Sequence, residues 1–360
     1  MATLEKEAVT GRTMTRIEVI GLVMVLLALV GLLVGPGTIA GTFDAMIKKV
    51  FDIVVKIYIT GSLGITIMLS VIVGRVLERL GFTDALVRIF APIANWMRIN
   101  PTVIIPAVYN ILGDINAAGR ITGPTLKQAG ATKAEQKIAV ATMVQSQQSF
   151  STFMLGMLAM TRAGIAVFPV ILIALFLPLV VIPFLLSRTI YRDTRRVELR
   201  ELPRFTPAKG ALDTIFGAGR EGAELVFLLI IPAAVVIFGI IGALDYLGIW
   251  KPIESGLTAA LTALSIEPKT GILSVLASPT LAMNTLKDVS AQVAPALVIG
   301  SFVLAASGFP LQVIFGQIPA VWARVSDLTE AEAMEAAVLG TVIRVLTAAL
   351  LAVALTPLVS

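Results

Sequence analysis

The sequence predicts an all-α integral membrane protein made of two inverted repeats, each with a re-entrant helical hairpin and an interrupted transmembrane helix. Three observations lead there. Of 360 residues 57% are hydrophobic and 14% charged, whereas soluble domains carry about 25% charged residues; the mean hydropathy is +0.93. Long apolar runs recur along the chain, and polar residues and prolines cut some of them into pieces shorter than the roughly 20 residues a bilayer requires. Basic residues, finally, crowd some loops and avoid others, which is the signal that sets orientation.

The chain has no Cys and no His. That excludes a disulfide framework, a thiolate nucleophile and metal sites built on imidazole or sulfur. No nucleophile–base pair is evident, so an enzyme is not expected. The net charge of +5 is assigned to cytoplasmic loops rather than to a nucleic-acid partner.

Residues 1–48 read as an N-terminal cytoplasmic segment, with Lys6, Arg12 and Arg16, followed by a first transmembrane helix over 19–34. This uncharged run exceeds the short core of a cleaved signal, so it reads as a retained helix. Residues 49–187 form the first repeat: a span at 53–73, a broken region at 83–116, an interrupted span at 138–160 and a closing span at 163–186. A basic cytoplasmic linker covers 188–220. The second repeat, 221–360, has the same order: a span at 225–244, a broken region at 248–284, an interrupted span at 293–321 and a closing span at 336–355. Residues 98–105 also match 265–272 at an offset of 167, with Asn100-Pro101-Thr102 against Glu267-Pro268-Lys269.

Eight basic residues lie in 74–137 but only Lys251, Lys269 and Lys287 in 244–292. The two hairpins are therefore expected to open to opposite sides of the cell inner (plasma) membrane, with the N-terminus cytoplasmic and the C-terminus outside. Inverted repeats with discontinuous helices place a binding site near the midplane, between helix ends.

Several residues could serve such a site. Asp114 is the one carboxylate at the apex of the first hairpin. A charged group at the bilayer centre costs on the order of 2.5–3.5 kcal/mol on insertion scales, so it is a candidate for proton or sodium coupling; the alternative is a helix cap paired with Arg120. Gln145, Ser146, Gln147, Gln148, Ser149, Ser151 and Thr152 interrupt a would-be span. Amides donate and accept, which suits a neutral polar ligand such as a nucleobase or sugar, although the same groups also hold membrane helices together. The second repeat offers Ser278, Thr280, Asn284 and Ser307, with Pro279 and Pro310 freeing carbonyls. Arg344 lies deep in the last span and needs a partner that the sequence does not name.

Asn110-x-Leu112-Gly113-x-x-Asn116-Ala117-Ala118, followed by Pro124 and Leu126-Lys127, resembles the hairpin of nucleoside-recognition (Gate) domain membrane proteins. Residues 278–285 look like the second gate of the YjiH-like branch. The group is similar to spore maturation proteins A and B and to the gates of ferrous-iron transporters. The resemblance implies two gate repeats around a central polar site, a homo-oligomer (dimer or trimer), and Asn116 and Asn284 as ligand-facing amides. Asp114 and the stretch 119–123 depart from the spore proteins, and the missing Cys and His speak against iron.

The expectation is a secondary active transporter, or gated permease, for a small polar solute with nucleosides among the candidates. It would work by alternating access coupled to H+ or Na+, without resident metal or cofactor. The competing expectation is a non-transporting membrane scaffold of the spore-maturation type.

Overall fold

The computed structural model describes residues 14–61, 63–112, 115–147, 149–198, 204, 206, 210–305, 310–311 and 313–359. Every regular element among them is helical. Among the described residues, four helices are long and apolar enough to cross a membrane, or up to five if one bent pair counts as a span.

Helix α1 (Arg16–Val34) opens with a capping box: Thr15 accepts from the Glu18 N–H and Glu18 reaches back to the Thr15 N–H. It buries no residue in the protein, as fits a helix whose apolar surface faces lipid. Helix α2 (Pro36–Ile53) continues through a π-helical stretch, Val54–Ile59, into a break, and α3 (Leu63–Arg79) leaves it bent by 54°. The uninterrupted span expected at 53–73 is therefore two helices, and residue 48 lies inside α2. The cause is local. The Thr60 hydroxyl donates to Val55 O at 2.9 Å, offering the backbone an alternative partner where the helix ends.

The same two helices lie along one 36-residue helix: α11 (Ala211–Glu224), a π stretch at Leu225–Ile230, and α12 (Ile231–Tyr246). Helix α2 packs on α12 and α3 on α11. The backbones meet at glycines: a Cβ on Gly242 would lie 2.7 Å from Ala45 O, and one on Gly222 2.8 Å from Met68 Cα. Small residues permit such close approach, and dispersion then holds membrane helices together.

The chain then passes through two sets of elements in the same order. The first comprises α4 (Phe82–Met97), a 3₁₀ turn (Pro101–Ile104) leading into α5 (Ile105–Leu112), α6 (Ile115–Gln128) and α7 (Lys133–Met143). After a non-helical stretch come α8 (Phe150–Arg162) and a closing span of α9 (Val167–Ile171), a π stretch (Leu172–Phe176) and α10 (Leu177–Arg188). The second comprises α13 (Trp250–Ala263), α14 (Pro268–Leu276), α15 (Pro279–Val289) and α16 (Pro295–Leu304). It ends with a π stretch (Val313–Gln317) leading into α17 (Ile318–Val325), and with the long α18 (Glu330–Val359).

Among the described residues, Arg98 (φ 61) and Ser265 (φ 57) are the two non-glycine residues at positive φ, and they stand 167 positions apart. Two residues on, Asn100 accepts from the Thr102 N–H, and Glu267 accepts from the Lys269 and Thr270 N–H groups. Both following helices thus begin with a side-chain cap and a proline at the first position, where a missing N–H goes unnoticed.

Packing crosses between the sets: α6 lies on α17, α15 lies on α8, and α18 touches both α7 and α16. Polar contacts gather at the two ends of α18. At its start Lys133 pairs with Glu332 (3.2 Å), Lys137 with Glu335 (3.0 Å) and Lys127 with Asp327 (3.3 Å), while Gln136 donates to Asp327 (2.8 Å). At its far end the Ala166 N–H donates to Val359 O; between α8 and α15, Arg162 donates to Lys287 O at 3.0 Å.

Candidate functional site where two helix breaks meet

Helix α7 stops at Met143 because the next residues prefer side-chain partners. Ser146 Oγ donates to Met143 O (2.7 Å), and Asn110 Nδ2 from α5 donates to Met143 O (3.2 Å) and to Ser146 Oγ (2.9 Å). The carbonyl end of a half-helix, with its partial negative charge, is thereby held from two elements.

Helix α8 starts at the far side of the break. Ser149 caps it, accepting from the Thr152 N–H at 3.2 Å, and its hydroxyl also meets Ser151 Oγ at 2.7 Å. Thr152 Oγ1 lies 2.7 Å from Thr280 Oγ1 in the first turn of α15, whose N-cap is Ser278. Two helix N-termini, each with partial positive charge, therefore converge on one hydroxyl pair. The buried hydroxyl of Tyr58, from the π stretch after α2, approaches Ser278.

Gln147 joins the two breaks directly. Its Nε2 donates to Phe302 O, in the last turn of α16, at 2.9 Å. Gln145 Nε2 donates to Ala141 O (3.1 Å) and to Gly340 O of α18 (2.7 Å). Asn110, Gln145, Ser146, Gln147, Ser149, Ser151, Thr152, Ser278 and Thr280 are all buried.

The amide N–H groups of Asn110, Gln145 and Gln147 are used and their oxygens are not. Among the described residues, Asn110 Oδ1, Gln145 Oε1 and Gln147 Oε1 have no hydrogen-bond partner, and neither do the hydroxyls of Thr142, Thr270 and Ser274. Leaving one buried polar group unsatisfied costs about 1–3 kcal/mol. Three amide oxygens without partners, between helix ends of both polarities, could accept hydrogen bonds from a polar ligand or coordinate a hard cation. Among the described residues no cluster of three Asp or Glu side chains suited to a metal ion gathers anywhere.

The residues singled out from sequence divide accordingly. Asn110, Gln145, Gln147, Ser149, Ser278 and Thr280 are buried at or beside the breaks. Asn284 is half-buried on α15 and accepts from Lys287 Nζ at 3.0 Å. Asp114, Gln148 and Ser307 lie outside the described residues; Asn116 is described only as backbone near the start of α6. Tyr58, Thr142, Thr270 and Ser274 were not singled out from sequence. Thr142 and Ser274 are single hydroxyls flanked by apolar residues, and Tyr58 and Thr270 stand near charged residues; neither pattern distinguishes them from ordinary interhelical contacts. Comparison of the chain with protein-family models, with curated proteins and with solved structures finds no match in any of the three.

Proposed function

We propose that the chain is a secondary active transporter of a small polar solute, in which two inverted repeats rock about a midplane site and couple solute movement to H+ or Na+. One observation carries this reading: the two interrupted helices meet at a buried polar cluster whose amide oxygens have no partner among the described residues. Transporters with discontinuous helices use such helix ends to hold solute and ion.

Three further observations support it. The element order repeats, and the positive-φ residues Arg98 and Ser265 fall at equivalent places. The crossed packing of α6 on α17 and α15 on α8 is what a twofold relation between the sets would produce. The ion pairs at the start of α18 join 127–137 to 327–335, two segments that the expected order of spans puts on the same, cytoplasmic side. Oligomerisation and kinship with the Gate-domain group belong to this reading as proposals.

The test is uptake by proteoliposomes holding the purified protein, with a panel of nucleosides, amino acids and organic acids and with imposed H+ or Na+ gradients. Gradient-dependent accumulation of one class is expected, and Asp114→Asn is expected to uncouple it. Absence of uptake of every class under both gradients would instead favour the membrane scaffold.

A further inference from the structure

Arg344 is residue fifteen of the 30-residue α18 and is wholly buried. About 21 Å of helix lies on each side of it at 1.5 Å per residue, so its head group cannot snorkel to either surface. A guanidinium remains protonated in proteins. Its Nη1 donates to Ala174 O at 3.4 Å, a carbonyl in the π stretch of the first set's closing span. Among the described residues its Nε and Nη2 have no partner.

No carboxylate compensates the charge among the described residues. The helices packed on α18 are α7, α9, α16 and α17, with the π stretch before α17. Their one acid is Glu135, and its carboxylate is taken by the N–H groups of Asn100 (2.8 Å), Thr132 (2.9 Å) and Arg195 (3.1 Å). On α18 itself Glu332 and Glu335 pair with Lys133 and Lys137, and Glu335, the nearest acid, is nine residues or roughly 13 Å away.

The same chain shows what this edge of an arginine does when satisfied. Arg75 places Nε 2.8 Å and Nη2 2.7 Å from the two oxygens of Glu221, and Nη1 2.8 Å from Glu78. Arg344 has the identical Nε/Nη2 fork free, in a drier place. A fork of this kind matches the two oxygens of a carboxylate.

Beside it stands an unused acceptor. Gln145 donates to Gly340 O, one turn before Arg344 and on the same helix face, and its Oε1 is unpartnered. From this juxtaposition we infer that Arg344 holds the carboxylate of a small anionic solute, with Gln145 Oε1 accepting from a hydroxyl or amine of that solute. The inference rests on the transport function proposed above and names its substrate class: small hydroxy- or amino-carboxylates. A lipid phosphate or inorganic phosphate offers related oxygens and is the competing source of the anion.

The experiment measures unfolding midpoints of the purified full chain in detergent at constant ionic strength. The probes are acetate, lactate, succinate and glutamate, with lactamide and inorganic phosphate as comparisons. At least one carboxylate, and neither comparison, is expected to raise the midpoint of the wild type. Arg344→Lys keeps the charge but loses the fork and is expected to bind that carboxylate at least tenfold more weakly. Arg344→Met is expected to lose the response while unfolding at a temperature no lower than the unliganded wild type, because an uncompensated buried charge has been removed. Equal responses in wild type and both variants would overturn the inference, as would a response to phosphate alone, or to no carboxylate. If carboxylate binding depends on Arg344 while liposomes take up nothing, the site stands and transport fails. If liposomes take up only neutral solutes, transport stands and the site fails.

Discussion

At the start of α18, three lysines face three carboxylates, and Gln136 and Asp327 bond each other in both directions, amide to carboxylate and backbone N–H to amide oxygen. About 21 Å further along the same helix, Arg344 has an empty fork, and the nearby amides of Gln145 and Gln147 have idle oxygens. The end of the bundle is saturated where water could have satisfied every group. The middle, where an unmet group costs most, is not. A protein selected for stability alone would show the reverse. On the proposed reading, the contrast separates groups that hold the fold from groups kept in reserve for a ligand.

The largest expected effect tests how tightly the middle is built. A Cβ on Gly300 would collide with the backbone oxygen of Ser265, and backbone cannot yield as a side chain does. Gly300→Ala should therefore destabilise by about 3 kcal/mol, at the upper end for overpacking, read by chemical or thermal unfolding. A loss under about 1 kcal/mol would show that the middle is loose.

Next in size is Gln147→Leu, which removes both the link to Phe302 O and the idle oxygen. Uptake should fall about tenfold, the equivalent of ~1.4 kcal/mol, while the unfolding midpoint moves little. The opposite pattern, intact uptake with a large fall in stability, would make Gln147 a structural strut. The hydroxyl pair between α8 and α15 is a smaller test. In a cycle of Thr152→Val and Thr280→Val, a coupling of about 1 kcal/mol is expected for the 2.7 Å contact.

The smallest effects belong to the saturated end. Removing the exposed Lys133–Glu332 pair should change stability by about 0.5 kcal/mol or less. Asp327 is held below the usual carboxylate range, chiefly by the Gln136 amide and then by Lys127. A lowered folded pKa contributes stability above the ordinary carboxylate value, and that contribution is lost as pH falls through the lowered one. Unfolding followed from about pH 5 downward should show this acid limb in the wild type and a reduced one in Asp327→Asn.

Much of this was legible in the sequence because polarity inside an apolar run is visible. The break after Met143 is written as Gln145-Ser146-Gln147, and the second break is marked by Pro310. The offset match of 98–105 with 265–272 was visible, though not that Asn100 and Glu267 within it cap helices. The π stretches were not, because Val54–Ile59, Leu172–Phe176, Leu225–Ile230 and Val313–Gln317 contain the same residues as ordinary apolar helix. The bend at Thr60 was hidden for a related reason, since one hydroxyl and one glycine occur in many straight spans. The isolation of Arg344 depends on what five other elements do not carry, and no local pattern encodes that.

The glycine crossings at Gly222, Gly242 and Gly340 can be put in mechanical terms. A Cβ at Gly340 would sit 2.8 Å from Ala141 O, so α18 and α7 touch backbone to backbone with no side chain between them. Interlocked side-chain ridges resist sliding and tilting alike. A bare backbone contact resists only compression, and so it acts as a fulcrum. Load applied at the ion-paired end of α18 would turn that helix about Gly340, and Arg344, one turn away, would turn with it.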